Sequence, residues 1–303
     1  MNTICICKTH KENKIFHLVG NIDPTRTFLL RKKFEIEIVR RFRRLIKIIK
    51  IAVVDDDVFG LKAKVNQRFA FKKDADKLQA FMGWLDNVEQ KEILETFRIF
   101  GVKKYTDENW MSIYIRSAYQ RGIARARIEM DKAGIDYIKG AIELSFNRPI
   151  HANAISLLYT RAFHELKGIT QAIDKEISRV LAEGFVKGDN PLTIARNLSN
   201  RVEKIGITRA RTLARTEIIR AHHEANINEY EQANIEGVQV LAELLTAGDS
   251  RVCNICFQWE KKTKKNPLSI SDAKGLIPIH PNCRCVIVPF TKKFREFKKR
   301  YKN

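Results

Sequence analysis

Cysteine is missing from the whole interior of this 303-residue chain. Of 6 in total, Cys5 and Cys7 stand near one end, and Cys253, Cys256, Cys283 and Cys285 crowd one segment near the other. Such clustering argues against a disulfide scaffold and for metal binding. Long apolar runs are also missing. No stretch of about 18 apolar residues occurs, which excludes a membrane-spanning helix. The first residues, Met-Asn-Thr-Ile-Cys-Ile-Cys-Lys, lack the charged start and long apolar middle of a secretory leader. The chain is therefore expected to be made and kept in a cytosol. No internal repeat and no low-complexity tract interrupts it. Acidic residues are scarce, 35 against 56 Lys+Arg, and the formal charge is +21. A surplus of that size self-repels unless a polyanion offsets it, and nucleic acid is the expected one, ahead of a membrane surface or an acidic protein. A hydrophobic share of 44% is enough to bury a core, and the length suits about two domains.

The spacing of apolar residues makes the chain mainly helical. Asp23-Pro24 reads as the N-cap and first position of a long helix running to about Val54. Its apolar stripe is Leu30, Phe34, Ile38, Phe42, Leu45, Ile49 and Val53. Basic residues fill the remaining faces, among them Arg31, Lys33, Arg40, Arg41, Arg43, Arg44, Lys47 and Lys50. Residues 62–104 read as a linking segment with a helix near Asp74–Glu95, and a second long helix is expected from Asp107 to about Gly134. Composition shifts around Pro149. Helices are then expected at His151–Leu166, at Ile169–Glu183, and after Asn190-Pro191. A last one is capped by Thr208 and stopped at Gly237. Strands are expected at Ile15–Val19, Val238–Leu245 and Cys285–Pro289. The implied fold is mainly α with an α+β end: an elongated helical N-terminal part, a helical middle and a small zinc-stabilised module. The corresponding divisions are 1–149 (basic and helical), 150–290 with the module at about 238–290, and a basic tail, 291–303.

The chemistry concentrates in that module. Cys253-Asn-Ile-Cys256 is a C-x-x-C pair, and His280-Pro-Asn-Cys283-Arg-Cys285 adds an H-x-x-C pair and one more thiol. Tetrahedral zinc takes about four N/S ligands, and a two-residue gap lets one tight turn present two of them. Cys253, Cys256, His280 and Cys283 are the expected ligands, with Cys285 as the alternative fourth. A catalytic zinc keeps a position open for water. Four protein ligands leave none, so the metal is expected to be structural and the protein non-enzymatic. The stretch from Phe257 to Pro267 reads as a basic, aromatic loop suited to a surface contact.

Other motifs carry less. Arg215-Thr216-Glu217 reads as a surface or packing pair. His222-His223 suggests a nuclease base, yet neighbouring residues on a helix face different ways. Cys5, Cys7 and His10 make an incomplete ligand set. Trp84 and Trp110 sit in apolar stripes and read as core.

Taken in order, several motifs resemble the phage head morphogenesis family, the Mu F-like minor head proteins. They are Leu213-Ala-Arg-Thr-Glu217, Thr246-Ala-Gly-Asp249-Ser-Arg-Val-Cys253-x-x-Cys256 and Ile279-His280-Pro-Asn-Cys283-Arg-Cys285, and the resemblance covers about residues 165–290. Asp23-Pro-Thr-Arg-Thr27 and Asp57-Val-Phe-Gly60-Leu61 are similar to N-terminal regions of minor structural proteins of tailed phages. The resemblance implies a minor capsid protein of the virion, in the capsid interior or at the portal vertex. It would pass through the host cytoplasm during assembly and act in head assembly or DNA ejection. Its implied partners are the portal protein, a capsid or scaffold protein and, non-specifically, phage DNA, with no membrane. Arg40, Arg41, Arg43, Arg44 and Lys47 are the expected phosphate contacts. The competing expectation is a zinc-stabilised nuclease acting on phage DNA.

Overall fold

The computed structural model describes residues 23–60, 74–94, 110–135, 140–235, 237 and 239–290. The expected strand at Ile15–Val19, the group Cys5, Cys7 and His10, and the basic tail 291–303 lie outside the described residues. Among the described residues the fold is mainly helical, with one two-stranded sheet. No described helix is long and apolar enough to cross a membrane. Two compact units are built from non-consecutive segments. One takes the described residues of Met1–Leu29, Ala118–His151 and Ile219–Asn303, the other those of Leu30–Ser117 and Ala152–Ile218.

Among its described residues the second unit has helices and no strand. Helix α1, Phe28–Lys50, passes into a π-helical turn at Ile51–Asp55. Its expected stripe is buried from end to end, with Phe34, Ile38, Phe42, Leu45, Ile49 and Val53 all at 0% exposure. The helix starts later than expected. Asp23 does not cap it but organises a turn: its carboxylate accepts from Thr25 Oγ1 at 2.7 Å and Thr27 N at 2.9 Å. Arg26, at φ 56°, interrupts any helical run from Pro24. Helix α2, Asp74–Glu89, also ends in a π-helical turn, Gln90–Leu94. It buries Phe81 and Leu85. The next long helix, α3, is Ser112–Lys132, and Asp107 lies outside the described residues. Trp110, just before it, is core: its indole N–H donates to the Ile93 carbonyl at 2.8 Å. Trp84 is half-buried against the Phe81 ring, 5.1 Å between centroids.

A short helix α4, Ile142–Ser145, precedes α5, a single 39-residue helix over Pro149–Lys187. Two helices were expected there, with a break at Lys167-Gly168. A lone glycine costs a helix only about 1 kcal/mol, and burial of Leu166, Ile169, Ile173 and Ile177 on one stripe outweighs it. Helix α6, Pro191–Arg201, is capped as expected, the Asn190 side chain accepting from Thr193 N at 2.9 Å. It continues through a π-helical turn, Val202–Ile207, into α7, Thr208–Ile235. Thr208 is therefore not a cap. It has helical dihedrals (φ −65°, ψ −48°) because the preceding turn never leaves the helix. Gly237, at φ 90°, follows the last turn of α7.

The first unit adds the sheet to the distal parts of α3 and α7. Strand β1, Leu241–Leu245, pairs antiparallel with β2, Val286–Phe290, in the register Leu241↔Phe290 to Leu245↔Val286. Between them lie α8, Asn254–Lys265, and α9, Ile270–Ala273. Here the expected loop is a helix. Cys253 caps it, Glu260-Lys-Lys favours it, and Pro267 stands just past its end. Ala126, Met130, Ile227, Tyr230, Leu244 and Ile287 form one apolar cluster in which Cys256, Cys283 and Cys285 are also buried.

Candidate metal centre

Local chain geometry delivers each donor atom. Cys253 has extended dihedrals and caps α8, its sulfur accepting from Cys256 N at 3.4 Å. Cys256 then follows on the first turn. From the other side, the turn after Pro278 places His280, closed by Cys283 N donating to the His280 carbonyl at 3.1 Å. Asn282 allows that turn by taking φ 63°.

Both turns converge. His280 Nε2 lies 3.3 Å from Cys253 Sγ and 3.2 Å from Cys256 Sγ, and Cys256 Sγ lies 3.9 Å from Cys283 Sγ. Two ligand triplets result, Cys253–Cys256–His280 and Cys256–Cys283–Cys285, which share Cys256. All five residues named from the sequence come together, and Cys283 and Cys285 are equally buried choices for a fourth ligand. A tetrahedral zinc with bond lengths of about 2.3 Å to sulfur and 2.0 Å to nitrogen has edges of about 3.8 Å (S to S) and 3.5 Å (S to N). The observed separations are near those edges.

Electrostatics prepares the donors. His280 Nδ1 is 2.8 Å from the Pro281 carbonyl and donates to it, which leaves Nε2 as the lone-pair atom facing the sulfurs. Burial works against charging that ring, but the Pro281 carbonyl and the neighbouring Cys283 and Cys253 outweigh it and raise its pKa. The hydrogen bond from Cys285, with main-chain N–H groups, brings the Cys283 thiol down to about 5. Holding that thiolate drives Cys285 up. Burial, then the charge on Cys283, pushes Cys256 up to about 12. A soft divalent cation would displace those held protons.

The remaining sequence candidates fall elsewhere. Arg40 and Arg41 reach Glu37 at 2.8 and 3.0 Å, and Arg44 reaches Glu92 at 2.8 Å. The Arg41 guanidinium also lies 4.3 Å over the Trp110 ring. Arg43 and Lys47 are exposed. Arg215 and Glu217 do not pair with each other. Arg215 binds Glu35 at 3.0 Å and buried Glu217 faces Arg161 at 3.6 Å. His222 and His223 are buried, and burial lowers them to about 3 and about 4, so both rings are neutral.

Two features escaped the motif reading. Asp249 and Arg284 form a two-pronged ion pair beside the cysteines, at 2.6 and 2.7 Å. The available signal was an acid four residues before the first cysteine and a base inside C-x-C. The second is a buried chain from Arg127 through Glu229 and His151 to Tyr119, whose members are far apart in sequence.

No curated protein and no solved structure matches the chain. Residues 175–288 match the family described as Phage Mu protein F like protein. That stretch contains the whole donor cluster, and over it the chain is similar to the Phage Mu F-like family.

Proposed function

We propose that the protein is a non-enzymatic minor head protein of a tailed phage, whose end module is folded around one structural zinc. The observation that carries this reading is the convergence of four thiols and an imidazole within the Mu F-like segment. Cys253, Cys256, His280 and either Cys283 or Cys285 would hold the ion, and zinc would supply local folding energy of about 10 kcal/mol. With four protein donors the metal has no open position for water. The histidine pair that motivates a nuclease is sealed in the core, so the nuclease reading has little support.

On this reading the protein acts by contact, with the portal, with capsid or scaffold protein, and with DNA phosphates. Support for the last comes from α8. Its only acidic residue, Glu260, is buried, accepts from Thr246 Oγ1 at 2.7 Å and pairs with Lys264 at 2.9 Å, whereas Lys261, Lys262 and Lys265 are exposed. Lys261 lies over the Phe257 ring at 4.5 Å and Lys262 over the Trp259 ring at 4.6 Å. Elemental analysis of protein purified under reducing conditions should give about one zinc per chain. Co-expression with the portal protein should yield a complex on size exclusion. Absence of zinc overturns the module, and absence of the complex overturns the partner.

A further inference from the structure

The donor turns are more than twenty residues apart, and a carboxylate outside the donor set ties them together. Asp249 Oδ1 accepts from Arg284 Nη2 at 2.6 Å, and Oδ2 from Arg284 Nη1 at 2.7 Å. The same carboxylate shapes the approach to Cys253, accepting from Arg251 N at 3.0 Å and Arg251 Nη2 at 2.8 Å. The Arg251 guanidinium is largely exposed, but the Asp249 and Arg284 side chains are only 13% and 19% exposed. Their planar fork is thus sheltered and geometrically exacting.

Arg284 sits between Cys283 and Cys285 where the chain runs into β2. Successive side chains of extended backbone point to opposite sides. Pulling residue 284 toward Asp249 therefore turns both neighbouring sulfurs toward Cys256, where they are found. We infer that Asp249 is the positioning residue of the metal centre, acting through Arg284 to hold the second donor turn against the first. This rests on the metal-centre reading above. Residues that orient ligands without touching the metal typically contribute about 10–100-fold to affinity.

The test is titration of the reduced full-length protein with Co²⁺, followed by competition with Zn²⁺ and a chelator, in wild type, Asp249→Asn, Arg284→Lys and Arg251→Gln. Asp249→Asn should weaken binding about 10–100-fold. It should also lower the sulfur-to-cobalt charge-transfer absorbance per bound ion, a count of thiolates that global stability does not move. Arg284→Lys keeps the charge but loses the fork, and should fall between. Arg251→Gln should stay near wild type. Equal affinity and equal absorbance in wild type, Asp249→Asn and Arg284→Lys would overturn the inference while leaving the metal centre standing. If Asp249→Asn does not fold, Arg284→Lys decides alone. A wild-type protein that takes up neither ion overturns the metal centre and this inference with it.

Discussion

Gly122 on α3 packs directly against the main chain of His222 on α7. A Cβ on residue 122 would meet the His222 carbonyl oxygen at 2.4 Å and Ala225 Cβ at 2.6 Å. Neither obstacle can swing away, because one is helix backbone and the other is fixed to it. Gly206 differs: a Cβ there would meet Ile173 Cδ1 and Phe42 Cδ1 at 2.9 Å, the far ends of side chains. Alanine gains up to about 1 kcal/mol of helix propensity over glycine, while overpacking costs about 1–3 kcal/mol or more. Gly122→Ala should therefore lower the thermal midpoint clearly, and Gly206→Ala should lower it less. Equal melting curves for the two variants would refute the close-approach argument.

Arg127 and Glu229 form the buried centre of the other polar feature. Arg127 Nε donates to Glu229 Oε2 at 3.0 Å, and His151 Nε2 lies 3.3 Å from Oε1. Tyr119 connects His151 Nδ1 at 2.9 Å to Asn228 Nδ2 at 2.8 Å. Burial acts to raise Glu229, yet the His151 and Arg127 hydrogen bonds hold it below the ordinary carboxylate value. Arg127→Met strands that charge and should cost about 3–5 kcal/mol in urea unfolding. Adding Glu229→Met should recover most of the loss, because the desolvated charge is then gone. A double variant no more stable than Arg127→Met alone would contradict this account.

The parts of the molecule readable from sequence were those governed by local periodicity. Every apolar residue of the α1 stripe, from Leu30 to Val53, is buried as its spacing requires. Asn190-Pro191 and the two ligand turns likewise act over three or four residues. Failures came where tertiary contacts decide. Gly168 does not break α5, and Thr208 does not cap α7, because burial on both sides keeps the helix going. The stretch after Cys256 folds as α8 for a related reason. Its cap is a cysteine, which a reading focused on metal ligation does not count as a helix start. Asp249 with Arg284 and Arg127 with Glu229 are 35 and 102 residues apart, beyond any local pattern.

Buried histidines and a buried glutamate should bend stability in opposite directions with pH. His222 and His223 drop from 6.5 to about 3 and about 4 on folding, through burial first. The unfolded chain then binds more protons below pH 6.5, so stability falls as pH drops from 6.5 toward 4. Arg125, Asp23 and Arg121 also face His222, so the His222→Gln difference curve, flatter than wild type over that range, isolates its part. Glu89 behaves the other way. Burial, then Asp174 and Asp86, raises it to about 8, so stability is lost as pH rises from 4.5 toward 8. Glu89→Gln should remove that loss. Unfolding free energies measured across pH 4–9 in both variants check the two signs.

Cys256 belongs to both donor triplets, whereas every other donor belongs to one. Cys256→Ser should therefore abolish zinc uptake, and either Cys283→Ser or Cys285→Ser should be tolerated far better than the other. Zinc content and the thermal midpoint, each with and without a chelator, separate these cases. The better-tolerated serine identifies the spare thiol. Retention of a full zinc by Cys256→Ser would mean that the two triplets do not share one ion.

The basic surfaces of α1 and α8 differ in how much charge is left for a polyanion. On α1, Arg40, Arg41 and Arg44 are already matched to Glu37 and Glu92 within 3.0 Å, so binding a phosphate there means breaking an ion pair. On α8, Lys261 and Lys262 rest over aromatic rings that leave their charge intact, and Lys265 is exposed beside them. Each phosphate contact adds about 0.9 to the slope of log affinity against log salt on duplex DNA. The triple change Lys261→Gln, Lys262→Gln and Lys265→Gln should therefore reduce that slope by about 2.7 for a random-sequence duplex. Arg40→Gln, Arg41→Gln and Arg44→Gln together should reduce it less. The measurement is fluorescence anisotropy at a series of salt concentrations, and it is independent of sequence because lysines meeting phosphates read none. A larger loss from the α1 triple would place the phosphate contacts back on the first helix and show that its ion pairs open at little cost.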